Sequence, residues 1–244
     1  RIDVNFTGYT SKISDYANPS STAPAGLNYS GFATVPSPYY SYAQGVTLEG
    51  KGDVLKFSNY SDTAQFLGQQ IYPALSGAVV RVEYSAMIPQ KGVTRSLIFQ
   101  GQKQAGGDAS QFFPAILSMR GDNDTITFMN NNVVGYYEEG KWYHYVIEYD
   151  FVNQNATLYI NGICVAENLA IPSEEQMYSL SYIRFEGLSS PDGESNFYLD
   201  DVKLYNCDTA SAFDTSEIAA DLTSSGLTVK QGYNKSHIYG DISN

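Results

Sequence analysis

Apolar and polar residues alternate with a period of two along most of residues 1–207, and no long helical stripe of apolar residues occurs before residue 210. Successive side chains of an extended chain point to opposite faces, so this alternation predicts β-strands. Predicted strands cover residues 1–9, 46–49, 53–58, 64–67, 78–87, 94–100, 113–119, 124–129, 142–150, 155–160, 180–186 and 195–205. Short strands at this spacing, joined by Gly, Asn and Asp turns, predict an all-β sandwich or jelly roll.

One large domain accounts for most of the chain. Of the 244 residues, 43% are hydrophobic and 16% are charged, which is enough apolar material for a core. The strand pattern assigns residues 1–207 to a single sandwich. Residues 208–244 differ in character, with a short predicted helix within 210–225 and an extra strand within 226–244. We interpret 208–244 as a C-terminal extension or a linker to a following module of a larger protein.

The charge of the chain limits its partners. The formal net charge is −12, from 26 acidic and 14 basic side chains. Such a chain repels phosphate backbones and anionic lipid headgroups, so nucleic acid and membrane surfaces are not expected as partners. No apolar window approaches about 18 residues, and membrane insertion is not expected either. The composition, with 21 Tyr and many Asn, Ser and Gly residues, favours a secreted or cell-surface protein.

The two cysteines, Cys164 and Cys207, lie far apart in the sequence and have no metal-ligand spacing. Two interpretations remain open for them. They form one disulfide, as in many extracellular proteins, or they are two buried thiols.

Two segments carry a family resemblance. Residues 140–150, with Trp142 and His144, and residues 156–162, which end in Asn161-Gly162, resemble the W-x-H, then Asp, then L-Y-x-N-G pattern of concanavalin A-like (laminin-G-like) lectin/glucanase domains. Residues 195–205 resemble the last strand of many carbohydrate-binding modules with the same jelly-roll fold. The resemblance implies that this strand pairs with the N-terminal strand, that the Asn-Gly turn has positive φ, and that Trp142 and His144 are structural.

The same resemblance implies a structural calcium ion. Many related modules hold Ca²⁺ with hard oxygen ligands between the first strand and an Asp of the final strand. Asp200 occupies the matching position here, whereas Thr7 stands where an acidic partner is usual. We predict Asp200 as the metal ligand, with a solvated or hydrogen-bonded carboxylate as the alternative.

Aromatic residues in predicted loops are the candidates for sugar contact. Sugar recognition uses flat aromatic faces for pyranose rings and polar groups for hydroxyls. The loop ending in Tyr39, Tyr40 and Tyr42 supplies three such rings beside two prolines, and Tyr136 and Tyr137 supply two more before a turn. The alternative for the loop is that its tyrosines cover a sandwich edge.

Polar residues of one parity on several strands form a second candidate. We single out Gln100 and Arg120 as ligand-binding, and the same set includes Arg81, Glu83, Gln102, Ser118, His144, Glu148, Arg184 and Glu186. If these strand faces coincide, one sheet carries a polar strip suited to a hydroxylated saccharide. If they do not, the residues form solvated cross-strand pairs.

These observations favour non-catalytic binding of a polysaccharide or glycan by one module of a larger protein. The first alternative is a polysaccharide lyase or glycoside hydrolase of the same fold. The E-x-D-x-x-E strand of such glucanases is absent, and His144, Arg120 and Gln100 are only loose equivalents of the groups that lyases of this fold use, so no catalytic residue is assigned. The second alternative is an adhesin or structural spacer; the tripeptide Arg120-Gly121-Asp122 is its only sequence feature.

Overall fold

The computed structural model describes residues 2–4, 6–7, 12–13, 33–34, 42–59, 65–90, 94–102, 110–129, 131–187, 195–207, 230–231 and 238–239. Apart from a 3-10 helix at Ser173–Glu175, the regular elements in these ranges are strands. They are β1 (Ile2–Val4), β2 (Lys12–Ile13), β3 (Ala33–Thr34), β4 (Tyr42–Leu48), β5 (Gly52–Asn59), β6 (Gln65–Leu75), β7 (Val79–Met87), β8 (Arg95–Gln102), β9 (Ser110–Arg120), β10 (Thr125–Phe128), β11 (Asn132–Tyr136), β12 (Trp142–Asp150), β13 (Asn155–Ile160), β14 (Ile163–Ala170), β15 (Leu180–Gly187), β16 (Ser195–Cys207), β17 (Lys230–Gln231) and β18 (Ile238–Tyr239).

The strands form two large antiparallel sheets. Sheet A has the order β14-β13-β12-β7-β16-β5-β4-β2, with β1 also paired to β16. Sheet B has the order β11-β10-β9-β8-β15-β6-β3, and β17 pairs with β18 separately. The predicted all-β sandwich of jelly-roll type is therefore confirmed. Among the described residues there is no apolar helix of membrane-spanning length.

The inward faces of the two sheets meet in one core. Tyr84 of β7 contacts Tyr145 of β12 within sheet A, with ring centroids 5.2 Å apart. Phe185 of β15, in sheet B, lies against both Tyr84 at 5.1 Å and Phe197 of β16 at 5.6 Å. Aromatic pairs in these tilted and edge-on geometries add packing energy beyond their buried area. Phe185 thus joins the sheets at the centre of the sandwich.

The final strand has the partner that the family resemblance implies. Strand β1 lies antiparallel to β16, and Ile2 faces Leu204 across the pair. On its other edge β16 pairs with β7, but the register shifts between Asp200 and Lys203. Asp201 adopts a φ of 51°, as the extra residue of a β-bulge. The bulge places two consecutive carboxylates at one point of the sheet.

The sequence pattern missed the two-residue strands β2 and β3 and two longer strands, β11 and β14. Strand β11 is an exposed edge strand in which Val134 alone is buried, so it has little apolar alternation. The β13–β14 register shifts twice, and Asn168 has a φ of 50°, which interrupts the alternation of β14. The short helix predicted within 210–225 lies outside the described residues.

The two thiols do not form a disulfide. Cys164 lies on β14 and Cys207 on β16, and three strands of sheet A stand between them. Cys164 is buried with Val146 and Tyr159 in a small apolar cluster. Burial raises the pKa of the Cys164 thiol to about 12, so the thiol is protonated at neutral pH.

Gly101 of β8 is expected to tolerate no side chain. A Cβ built at this position would lie 1.6 Å from the carbonyl oxygen of Ser179, which is a backbone atom and cannot rotate away. We expect Gly101→Ala to lower the free energy of unfolding by about 1–3 kcal/mol, as overpacking does. Urea unfolding measures this value. A change in the free energy of unfolding within about 0.5 kcal/mol is typical of a surface substitution. Such a result would contradict the close contact between Gly101 and the Ser179 carbonyl oxygen.

Candidate functional site

A groove of about 640 Å³ lies at one end of the outer face of sheet A. Its walls come from the β4–β5 turn, the end of β7, the start of β12 and the β13–β14 turn. Its lining residues are Leu48, Glu49, Gly50, Lys51, Ser85, Met87, Gly140, Trp142, Tyr143, His144 and Asn161.

Two tight turns shape this groove. The β4–β5 turn contains Gly50, with a φ of 77°, and ends at Gly52, the first residue of β5, with a φ of 96°. The β13–β14 turn has Asn161 and Gly162 with φ of 51° and 82°, and two consecutive positive φ values are those of a type I′ hairpin turn. The prediction of positive φ in the Asn-Gly turn is confirmed. Residues with positive φ are uncommon outside such turns, so the positions favour Gly and Asn.

Strand parity places Trp142 in the groove. Tyr143 is 2% exposed and belongs to the sandwich core. Trp142 precedes it in the strand, so its side chain lies on the opposite, outer face, where it is half-buried and lines the groove. Trp142 therefore lies outside the core, and its structural role stays a prediction. Its parity is that of polar His144 and Glu148, a signal already present in the sequence.

A lysine from the β4–β5 turn lies over the indole. Lys51 Nζ is 5.1 Å from the Trp142 ring centroid, a cation–π contact. The same ammonium is 2.7 Å from Asp200 Oδ2 and 3.4 Å from Asp201 Oδ2. Burial opposes the charged form, but the bonds and charges of these two carboxylates outweigh it and raise the pKa of Lys51. Lys51 is thus a stable cation inside the groove.

This ion pair bears on the predicted calcium ligand. The Asp200 side chain is 8% exposed, and Lys51 lies against one of its oxygens. An ammonium at that position repels a second cation, so this pair does not fit a calcium ion on the same oxygen. Asp200 as a metal ligand stays a prediction. Melting curves in EDTA and in calcium test it: an upward shift of the midpoint by calcium would support the ion, whereas the Lys51 contact leads us to expect no shift.

His144 joins the groove to the neighbouring strands. Its Nδ1 is 3.1 Å from Ser85 Oγ, on the directly opposite residue of β7. Its backbone N–H donates to Asn161 Oδ1 at 2.8 Å, and the Asn161 N–H donates to the His144 carbonyl at 2.8 Å. These bonds fix the imidazole and the β13–β14 turn relative to each other. The groove wall is therefore set before any ligand arrives.

His144 also makes stability depend on pH. Burial is the main cause that lowers the pKa of His144, although Glu83 and Asp201 oppose the shift. Below the ordinary pKa of about 6.5 the unfolded chain binds this proton more readily than the folded chain does, so acidification destabilises the fold. We expect the free energy of unfolding to fall as the pH drops through about 6.5, before most carboxylates titrate.

The variant His144→Gln tests this dependence, because glutamine keeps a polar side chain without the titration. Urea unfolding across the pH range from about 7.5 to 5 should give a flatter profile for the variant than for the parent chain. Parallel profiles would contradict the assignment of the pH dependence to His144.

A charge network continues along the outer face of sheet A. Arg81 Nε is 2.7 Å from Glu83 Oε1, and Arg81 Nη1 is 3.1 Å from Glu148 Oε1. The Tyr205 hydroxyl donates to the same Glu83 oxygen. Glu148 is 3% exposed, although it lies on the outer face. One guanidinium therefore bridges two carboxylates on adjacent strands.

The structure separates the polar set that the sequence suggested. Arg81, Glu83, His144 and Glu148 lie on strands of sheet A, whereas the strands that carry Gln100, Gln102, Ser118, Arg120, Arg184 and Glu186 belong to sheet B. The two sheets present their outer faces to opposite sides of the sandwich. A single polar strip across these strands is therefore not formed. Arg81 and Glu148 form a cross-strand pair, as the alternative predicts, but Glu148 is buried and not solvated.

The individual predicted residues are dispersed. Arg120 forms two bonds with Asp122, Nε to Oδ1 at 3.2 Å and Nη2 to Oδ2 at 3.1 Å, so the charged groups of this tripeptide bind each other. Gln100 pairs through its backbone with Tyr182 and Phe112 in sheet B. Neither residue lines the groove of sheet A. Their role in ligand binding stays a prediction.

The predicted tyrosines also differ in placement. Tyr136 is 63% exposed on β11, whereas Tyr137 is 3% exposed within the core. Burial raises the pKa of Tyr137 to about 12, and its ring offers no open face for a sugar. Tyr39 and Tyr40 lie outside the described residues. Tyr42 begins β4 and pairs with Ser58 through the backbone.

Sequence reasoning missed the groove residues Lys51, Ser85 and Asn161, and it missed Asp201, which contacts Lys51. Three of them lie in or beside turns and bulges, where no periodic signal exists. Lys51 and Asp201 are 150 residues apart in the chain, and their contact depends on the pairing of β16 with β5 and β7. Local sequence carries no information about that proximity.

No protein-family model and no curated protein matches the chain. A solved structure named "Sialidase" superposes with a TM-score of 0.52 at 17% identity, over 72% of this chain and 17% of the sialidase chain. The cellulose-induced protein Cip1 gives 0.49 at 10% identity, over 84% of this chain and 100% of that one. The CBM22-1 and GH10 modules of a Clostridium thermocellum endo-1,4-beta-D-xylanase 10B, complexed with xylohexaose, give 0.41 at 12% identity, over 72% and 26%. The chain spans only a small part of the sialidase, and that likeness shows the fold alone.

Proposed function

We propose that the chain is a non-catalytic carbohydrate-binding module that binds a polysaccharide or glycan in the groove of sheet A. The observation that carries this proposal is Trp142, a half-buried indole on an outward face, in an open groove lined with polar groups. The apolar face of a pyranose ring stacks on an indole, and its hydroxyls bond to nearby polar side chains. Ser85, His144 and Asn161 supply such groups beside the ring.

The preformed wall of the groove supports this proposal. Hydrogen bonds already join Ser85, His144 and Asn161. A ligand therefore loses less free energy to the ordering of these side chains when it binds. The fold is compatible with this ligand class, since part of a solved structure named "Sialidase" has the same fold. A single shallow groove binds weakly, and repeated units of a polymer or neighbouring domains compensate by multivalency. We place the module in a secreted or cell-surface multidomain protein.

Binding is favoured over hydrolysis by the charge network. Glu83 and Glu148 are two carboxylates on adjacent strands of the outer face, but Arg81 bridges them. The guanidinium occupies the space that a sugar ring would need between an acid and a base. Incubation with neutral and uronate polymers, followed by measurement of reducing ends and of unsaturated products, should yield neither. Product formation would support the lyase or hydrolase alternative.

The lone tryptophan gives a direct binding assay. Trp142 is the only Trp of the chain, so intrinsic tryptophan fluorescence reports on the groove alone. We expect a saturable change in fluorescence with at least one polysaccharide in a panel of plant, algal and host glycans, together with retardation in a native gel that contains it. If no glycan in the panel retards the protein or changes its fluorescence, the proposal is wrong.

A further inference from the structure

The groove already holds an ammonium group, and that group belongs to the protein. Lys51 Nζ lies 5.1 Å from the Trp142 ring centroid, 2.7 Å from Asp200 Oδ2 and 3.4 Å from Asp201 Oδ2. An aromatic face together with carboxylate oxygens is the usual set of groups that recognises an alkylammonium ion. The contacts of Lys51 therefore display the ligand chemistry for which this end of the groove is suited.

The groups that contact the ammonium, Trp142 and Asp200, lie on paired strands of sheet A, whereas Lys51 lies in a turn. Asp200 lies on β16, has an 8% exposed side chain and pairs with Ser85 of β7. Trp142 pairs with Met87 of the same strand β7. Lys51 lies between Gly50 and Gly52, and a Cβ placed on either glycine would meet nothing within 4 Å. The turn thus projects into open space, and its displacement breaks no packing at these glycines.

The charges around Lys51 add selectivity. Two carboxylates, Asp200 and Asp201, contact one ammonium, so the three groups together carry one net negative charge. A neutral sugar that displaced Lys51 from Trp142 would leave two carboxylates without this cation, and Asp200 is mostly buried, which makes that loss costly. An acidic sugar would add repulsion to that loss. A sugar with an ammonium group replaces the cation that it displaces.

From these contacts we propose that Trp142, Asp200 and Asp201 form an ammonium subsite of the groove, which Lys51 occupies in this structure and which the ammonium of a 2-amino sugar takes in a bound glycan. This inference rests on the proposed glycan-binding function for its ligand. We call the three side chains Trp142, Asp200 and Asp201 the ammonium cage, and their ability to bind an alkylammonium ion does not depend on that function. The two claims are therefore tested separately.

The first experiment probes the cage without a glycan. In Lys51→Ala the cage loses its occupant, and ethylammonium chloride should raise the melting temperature of this variant more than sodium chloride does at equal ionic strength. The parent chain should show no such difference. Lys141→Ala is the matched control, since Lys141 also lies at a turn, 2.9 Å from Glu138 Oε1 and 5.8 Å from the Tyr143 ring centroid. Equal effects of the two salts on Lys51→Ala would overturn the cage.

The second experiment uses glycans. De-N-acetylated chitin oligosaccharides, N-acetylated chitin oligosaccharides and cello-oligosaccharides are titrated into the protein, with Trp142 fluorescence and calorimetry as readouts. We expect the amino form to bind at least tenfold more tightly than the other two. Lys51→Ala should increase this preference because the competitor is gone, and Asp201→Asn should reduce it.

The outcomes separate the two proposals. Binding of glycans with no preference for the amino form, and no effect of Lys51→Ala, would overturn the subsite and leave the proposed function in place. Rescue of Lys51→Ala by ethylammonium with no glycan bound would overturn the proposed function and leave the cage. Asp201→Asn is preferred to a change at Asp200 because its side chain is 42% exposed, so the variant should fold.

Discussion

Trp142→Ala is expected to lower the affinity for the bound glycan by roughly 30-fold, which corresponds to about 2 kcal/mol. Tryptophan is the side chain with the largest flat apolar face, and residues of this kind dominate binding where they lie at the centre of a site. The indole lines the groove while the neighbouring Tyr143 fills the core, so the substitution removes a contact surface and leaves the core intact. Isothermal titration calorimetry measures the affinity, since the variant has no tryptophan fluorescence.

Two matched variants control this measurement. Trp142→Phe keeps a smaller aromatic face and should retain part of the affinity. Tyr136→Ala removes a ring that is 63% exposed on β11 of sheet B, on the other side of the sandwich, and should leave the affinity unchanged. If Tyr136→Ala abolished binding while Trp142→Ala did not, the binding surface would lie on sheet B and the groove assignment would be wrong. Circular dichroism establishes that each variant is folded.

Phe197→Ala is expected to lower the free energy of unfolding by about 3–5 kcal/mol. Phe197 is 0% exposed on β16 and its ring centroid lies 5.6 Å from that of Phe185 in sheet B. Truncation removes apolar burial and also leaves a cavity at the point where the two sheets touch. For a domain whose total stability is about 5–15 kcal/mol, this is a large fraction, and urea denaturation measures it directly.

The neighbouring residue gives the control. Tyr198 follows Phe197 in the same strand, faces outward and is only partly buried. Tyr198→Ala removes an aromatic ring of similar size and should cost much less than Phe197→Ala. Equal losses of stability would mean that the two side chains do not lie on opposite faces of β16, and the assignment of the core would then be wrong.

The fold was predictable where alternation is uninterrupted. In β7, Val80, Val82 and Tyr84 belong to the core while Arg81 and Glu83 form an ion pair on the other face, as the sequence pattern predicts. The same pattern failed at β14, because bulges in its pairing with β13 break the period of two. Prediction thus succeeded where the backbone is regular and failed where it is not.

The candidate site was less predictable than the fold. The loop tyrosines were predicted as sugar contacts because they lie outside any periodic pattern. Trp142 was predicted to be structural through a family resemblance. Its parity relative to Tyr143 and Tyr145 indicates the outer face, and this signal for a groove position was already present in the residues. Tyr137 was predicted to contact a sugar, but it is buried in the core. It follows the last residue of β11, where strand alternation no longer indicates the direction of the side chain.

Sequence by itself determined which side chains share a face, because side chains alternate along a strand irrespective of what surrounds it. That local rule separated core from surface on most strands and predicted a two-sheet sandwich. Only the tertiary structure decided which strands are neighbours, and with them the contact of Lys51 with Asp200, Asp201 and Trp142. Strand order depends on long-range packing and backbone pairing, which one sequence's local pattern does not contain. The groove is a product of that order.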